Sequence, residues 1–188
     1  QRQMCIRDRR KLNLQLFAEE KLEAVQGSRI IYLYRLFSKQ TTEAAKNIAF
    51  STENENTMSQ DAESTATKDG SIRTPGVIEV ELTGTSVMAK NSTLYSELKS
   101  AMHKSELVEL WEVNLDEPGE TENAGKFKAT YYQGYITELS KSSPADGFAE
   151  ISFTFGANGS GADGYATVTK EQQEIASYVF KDTTVGSK

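Results

Sequence analysis

Cysteine, histidine and tryptophan each occur once in this 188-residue chain, and proline only three times. The lone Cys5 excludes an internal disulfide framework and any multi-cysteine zinc site. The lone His103 has no Ser, Cys or second His at a catalytic spacing, and it reads as an ordinary surface residue of a helix. Long apolar runs are missing as well. The longest, residues 30–34, falls far short of the about 20 residues that cross a bilayer. The basic start is not followed by an apolar stretch and a small-residue cleavage site, so no secretory signal is expected. Positive charge is also in deficit: 21 Lys and Arg stand against 27 Asp and Glu, for a net charge of −6. With an isoelectric point near 5.0, this is not a chain that grips phosphate backbones through Lys and Arg. Any passage of nucleic acid would have to be non-adhesive.

What is present describes one polar domain with an ordinary core. Hydrophobic residues make up 37% and charged residues 26%, and the mean hydropathy is −0.54. Residues 1–9, with Met4-Cys5-Ile6-Arg7-Asp8-Arg9, resemble a translated sequencing adapter and are set aside from functional reasoning. The competing reading is a basic arm of Arg2, Arg7, Arg9, Arg10 and Lys11 for an acidic partner. Residues 11–19 resemble the leader of phage capsid and tail proteins. The expected division is a disordered adapter-like and leader segment over residues 1–24, followed by one domain over residues 25–188.

From Gly27 onward, short alternations of apolar and polar residues between Gly, Pro, Asn and Asp mark the strand period. Strands are expected over residues 29–37 and 47–51. Residues 52–75 are small and polar at nearly every position, which predicts a long loop or hairpin tip unable to bury a core. Residues 77–88 alternate, with Ile78, Val80 and Leu82 opposite Glu79, Glu81 and Thr83, and predict a half-buried strand. Asn91 or Ser92 offers a cap for a helix over residues 93–104, where Leu94, Leu98, Ala101 and Met102 recur at helical spacing. Strands follow over residues 107–115, 126–140 and 148–157. The Gly-rich residues 158–164 lack the Lys-Ser/Thr of a phosphate loop and read as flexible. A threonine-capped helical turn over residues 169–176 and a last strand over residues 177–181 complete the pattern.

No catalytic constellation emerges. Glu109 with Glu112, or Glu138 with Glu150, are the available carboxylate pairs for glycosidase-like work. In a strand, Glu109 and Glu112 point to opposite faces. Tyr131, Tyr132 and Tyr135, with Trp111 and Phe127, could form a sugar platform or a base-stacking face. Aromatic residues at strand positions more often fill a β core or a subunit interface. Asp116, Glu117 and Asp163 lack the spacing of a calcium loop. No cofactor and no metal are expected.

Several blocks in order carry a family resemblance. They are Gln26-Gly27-Ser28-Arg29 with Tyr32-Leu33-Tyr34-Arg35, Ser64-Thr65-Ala66-Thr67-Lys68-Asp69-Gly70 with Ile72-Arg73-Thr74-Pro75, and Leu110-Trp111-Glu112 with Asn114-Leu115. Tyr132-Gln133-Gly134-Tyr135-Ile136-Thr137, Glu150-Ile151-Ser152-Phe153-Thr154-Phe155-Gly156 and residues 171–183 continue the series. Together they resemble the major tail protein family of long-tailed bacteriophages, in particular the lactococcal-type group, over about residues 25–184. The resemblance implies a mainly β (α+β) fold, a β-sandwich or open barrel with one flanking helix and a long stacking loop. It implies a non-enzymatic virion tail subunit, made in the host cytoplasm, whose hexameric rings stack into the tube that DNA traverses. The implied partners are further copies of the chain, a tape-measure protein, a tail terminator and distal tail proteins, with no membrane. Within that frame, the inter-ring loop residues are Ser64, Thr65, Thr67, Lys68, Asp69 and Arg73. Strand alternation assigns Glu79, Glu81 and Glu150 to the lumen, and Glu138 is placed there by its strand partners, against the plainer reading of solvated outer-face carboxylates. The alternatives are the tube protein of a phage-derived contractile injection system, and a monomeric carbohydrate-binding β-sandwich.

Overall fold

A computed structural model describes residues 24–176. The expected leader over residues 1–24, apart from Ala24, and the expected strand over residues 177–181 lie outside the described residues. The elements are β1 (Ile30–Leu36), β2 (Lys46–Asn47), β3 (Ser51–Thr67), β4 (Gly70–Val87), α1 (Leu94–Lys104), β5 (Val108–Pro118), β6 (Phe127–Ser142), β7 (Glu150–Ala157), β8 (Ala162–Ala166) and α2 (Lys170–Ala176). The strands form one antiparallel sheet in the order β2-β1-β5-β6-β7-β4-β3, with β8 also paired to β6. The fold is therefore mainly β with one principal helix.

The long strand β6 organises the molecule by changing partners. Its first half, to Gly134, pairs with β5, and residues 127–131 also pair with β8. Its second half, from Gly134 to Ser142, pairs with β7. Gly134 is required at the crossover, because a Cβ there would sit 2.0 Å from the Gly156 carbonyl oxygen. The sheet bends about this strand, so that one half (β1, β2, β5, β8 and the start of β6) and the other (the end of β6, β7, β4 and β3) enclose a shared core. Tyr32, Tyr34, Val108, Leu110 and Tyr132 from the first half meet Val80, Leu82, Phe153 and Phe155 from the second. Alternation puts these residues on one side of each strand, and burying such a side chain is worth about 1.5–3 kcal/mol.

Helix α1 lays Leu94, Leu98 and Ala101 onto the same core. Its N-cap is Thr93, without a side-chain cap hydrogen bond, and so neither Asn91 nor Ser92; Ser92, one position earlier, accepts from the Leu94 N–H at its Oγ at 3.2 Å. Its end is closed by Ser105 in the left-handed region, whose N–H donates to the Ala101 and Met102 carbonyls. A smaller cluster of Ile31, Leu33, Val113, Leu115, Ala129 and Val168 covers the other side of the first half. There Thr169 and Gln172 form a reciprocal capping box at the start of α2, and Gln172 Nε2 donates to the Ala45 carbonyl at 3.1 Å.

Three expectations need correcting or sharpening. Of the two readings of residues 52–75, the loop fails and the hairpin holds: β3 and β4 pair from Ser51↔Ser86 to Thr67↔Gly70 around a Lys68-Asp69 turn. Backbone pairing holds the outer part of this hairpin, residues 57–79, where every residue is exposed, and β-branched threonine suits it. Residues 158–164 are likewise not all loop, because β8 begins at Ala162 and pairs Asp163 with Thr130, whose hydroxyl donates to Asp163 Oδ1 at 2.8 Å. Ile78, expected in the core, is 42% exposed because β7 ends opposite Val80 and nothing covers the next position outward.

Candidate functional site: an acidic sheet face with open edges

The second half of the sheet has two unlike faces. Val80 and Leu82 on β4 and Ile151, Phe153 and Phe155 on β7 point into the core. The intervening positions point away, and the register aligns them into rows. Glu81 stands opposite Gly156, Thr83 opposite Thr154, Thr85 opposite Ser152 and Val87 opposite Glu150. Across β6 the rows continue through Tyr135, Glu138, Ser140 and Ser142. Across β3 they continue through Glu53, Glu55, Thr57 and Ser59, the last opposite Glu79. A bulge at Thr137 restores Glu138 to this face, between core-facing Ile136 and Leu139.

All four glutamates singled out from the sequence, Glu79, Glu81, Glu138 and Glu150, thus share one exposed face. Glu53 and Glu55 join them, and the sequence reading missed both by placing them in a loop. No Lys or Arg projects from these rows; Lys141 on β6 is opposite buried Ile151, turned to the other side, and lies 5.6 Å from the Tyr95 ring. The face is therefore a patch of carboxylates set in Ser and Thr hydroxyls.

Among the described residues, both margins of this half-sheet have unpaired backbone. β3 pairs with β4 alone, and β6 beyond Gly134 pairs with β7 alone. Only side chains cross the gap between β3 and the first half of the sheet. The Tyr32 hydroxyl donates to the Glu55 carbonyl at 3.0 Å, and Asn56 Nδ2 donates to Glu112 Oε2 at 2.6 Å. Beside them a cleft of about 870 Å³ lies among Ile30, Ile48, Phe50, Asn56 and Glu112. Unpaired edges of this length are templates for pairing with another chain.

The six residues expected in an inter-ring loop come together at the end of the β3–β4 hairpin. Ser64 pairs with Arg73 and Thr65 with Ile72, Thr67 pairs with Gly70, and Lys68 and Asp69 make the turn. Every residue from Thr57 to Glu79 is exposed.

The remaining candidates separate. Glu109 and Glu112 take opposite faces: Glu109 is 1% exposed, ion-paired to Arg35 at 2.7 Å, and accepts from the Tyr131 hydroxyl at 2.6 Å. Glu138 and Glu150 share a face, but Glu150 is opposite Ser142, four residues along β6 from Glu138. That is about 13 Å along the strand, beyond the reach of a glycosidase pair. Tyr132 is buried, and Trp111 and Tyr131 pack against each other at 5.1 Å with Arg35 over the indole. The aromatic group is thus divided between the core and the Arg35–Glu109 network, with Tyr135 alone of the three tyrosines well exposed. His103 is exposed on the last turn of α1.

A β subunit with two open edges, a bare charged face and a projecting hairpin belongs to the class of proteins built to polymerise. The sequence profile of the phage tail tube protein family matches residues 24–163, and this chain belongs to that family. It is 32% identical over 143 residues to a putative tail protein of Staphylococcus phage phiMR25, covering 74% of each chain. Among solved structures it resembles the SPP1 tail tube, with a TM-score of 0.67 at 18% identity, over 87% of this chain and 95% of that one. It also resembles the tail of an empty gene transfer agent particle with C6 symmetry, at a TM-score of 0.57 and 14% identity, over 77% and 100% of the two chains. The sheath-tube complex of an extracellular contractile injection system matches at a TM-score of 0.50 and 13% identity, over 77% and 93%. The chain is a tail tube subunit, a structural component of the virion tail.

Proposed function

We propose that copies of this chain join side by side through the free edge of β3 and the free edge of β6 beyond Gly134, closing a ring whose bore is lined by the acidic face. The four strands β6, β7, β4 and β3 have their opposite side committed to the core, so the carboxylate face is the one that a continuous barrel can turn to its interior. Lining the bore are Glu53, Glu55, Glu79, Glu81, Glu138 and Glu150. The absence of Lys and Arg from those rows is the observation that carries this reading. Like charges around a bore repel each other, which is a cost to assembly. For a conduit the same charge is useful, because it repels DNA phosphates and avoids the multipoint cationic contacts that hold nucleic acid. The role is mechanical, not enzymatic: the subunit supplies a wall. The hairpin tip, with Ser64, Thr65, Thr67, Lys68, Asp69 and Arg73, reaches the next ring, and a tape-measure protein, a tail terminator and distal tail proteins would complete the tail.

The Glu79→Lys/Glu81→Lys double variant tests the bore. It should fold and form rings yet slow DNA ejection, with salt relieving the defect; ejection at the parental rate from normal tubes counts against the lining. The injection-system reading shares the fold and differs in having a sheath, so a sheath gene beside this one would favour it.

A further inference from the structure

The acidic half-sheet carries exposed apolar side chains at both of its ends, and the two sets lie where one molecule cannot bring them together. At the hairpin end, β7 stops opposite Val80, and β3 and β4 continue as a two-stranded ribbon. Met58 stands at that rim and Val77 and Ile78 just past it, at 57%, 82% and 42% exposure. Met58 is opposite buried Val80 and Ile78 opposite Gln60, so the core-facing stripe runs on past the last residue its own core covers. At the other end, the Val87 N–H donates to the Phe50 carbonyl at 3.0 Å and the Met88 N–H donates to the Ala149 carbonyl at 2.7 Å. These bonds fix Phe50 and Phe148 at the opposite rim, where they are 63% and 77% exposed. Phe50 is held there with a φ of 55°, a left-handed conformation that a bulky residue adopts only under constraint.

About 23 Å of strand, from Val80 to Val87, separates the two rims. Exposed apolar groups gathered at a rim mark an interface. Two different patches at opposite ends of one sheet define a head-to-tail contact, which repeats without closing on itself. Resting on the tube reading, we infer that Phe50 and Phe148 of one ring seat against Met58, Val77 and Ile78 of the adjoining ring. The apolar rims then carry the axial contact. The polar tip beyond the bulge where Gly76 and Val77 together face Asp61 runs on along the neighbour's wall. The occupant of each rim is a second copy of this chain, because the complementary patch is present on every copy and displaced along the strand axis.

Cysteine pairing in assembled tubes tests this. On a Cys5→Ser background, Val77→Cys and Phe148→Cys chains carrying different tags are mixed, assembled and treated with a short bismaleimide. The expected result is a covalent heterodimer in tubes and none in the same chains kept below the assembly concentration. Phe148→Asp should raise the concentration needed for tube growth by about tenfold or more, while single rings still form. Normal tubes without the heterodimer, or normal growth of Phe148→Asp, overturn the rim contact and leave the tube reading standing. A Cys5→Ser parent that forms neither rings nor tubes refutes the tube reading itself, and the rim contact with it.

Discussion

The same side of one strand, β6, has two fates. Over its first half, Tyr131 and Gln133 lie on a face that also bears Arg35, Trp111 and Glu109, where the charged groups are bonded to one another and to their neighbours. Glu109 takes the Arg35 guanidinium and the Tyr131 hydroxyl, and Gln133 Nε2 donates to that hydroxyl at 2.6 Å. Over its second half, past Gly134, the same face bears Glu138, Ser140 and Ser142, all exposed. A buried carboxylate needs a cation and hydrogen bonds to be tolerated, whereas an exposed one needs neither. Charge in the first half therefore serves folding, and charge in the second half is free to serve the assembled particle.

The largest effect should come from breaking the first half. Arg35→Leu leaves Glu109 buried without its cation, and removing one partner of a buried pair costs about 3–5 kcal/mol. Urea denaturation of the isolated subunit measures the loss. Next comes the crossover between the halves. Gly134→Ala places a methyl group against the Gly156 carbonyl and is expected to cost about 1–3 kcal/mol, seen as a lower thermal midpoint.

A third test uses acid. Burial alone would push the Glu97 carboxyl up, but hydrogen bonds from Lys46, Tyr34 and Lys39 outweigh it and hold the group below its ordinary value of 4.5. A carboxyl lowered by folding stabilises fully above its unfolded value and loses that contribution as pH falls through its folded one. The stability advantage of the parent over Glu97→Gln should therefore be constant near neutrality and shrink below about pH 4.5. An advantage that grows on acidification contradicts the arrangement.

The smallest effect on folding should come from the second half. Glu55→Gln, Glu79→Gln and Glu81→Gln are each expected to move subunit stability by no more than about 0.5 kcal/mol. In the ring, however, they remove mutual repulsion, so the triple variant should assemble at lower salt than the parent. Sedimentation of assembled material against ionic strength reads this directly.

How much of this the sequence disclosed follows from which force holds each element. The alternation around Val80 and Leu82 and the helical spacing of Leu94, Leu98 and Ala101 record burial, and burial writes a period into the sequence. β3 records none, because its outer stretch is held by backbone bonds to β4 with both faces in solvent. The two-residue turn is Lys68-Asp69 with Gly70 already in β4, so the Asp-Gly pair stood one position out of register with the usual hairpin signal. With β3 unread, Glu53 and Glu55 stayed outside the acidic face. β8 was hidden for a similar reason, since Asp163 and Gly164 pair through backbone despite low strand preference. The burial of Glu109 left no local trace, since its ion-pair partner Arg35 lies 74 positions away.

The central claim is that the bare acidic face lines the bore. A helical reconstruction of assembled tubes at side-chain resolution tests it most directly. The account requires the β3 edge of one subunit to pair with the β6 edge of the next, with Glu53, Glu55, Glu79, Glu81, Glu138 and Glu150 projecting into the channel. Tubes in which these glutamates face the exterior, or are buried against basic residues of a neighbouring subunit, would contradict it.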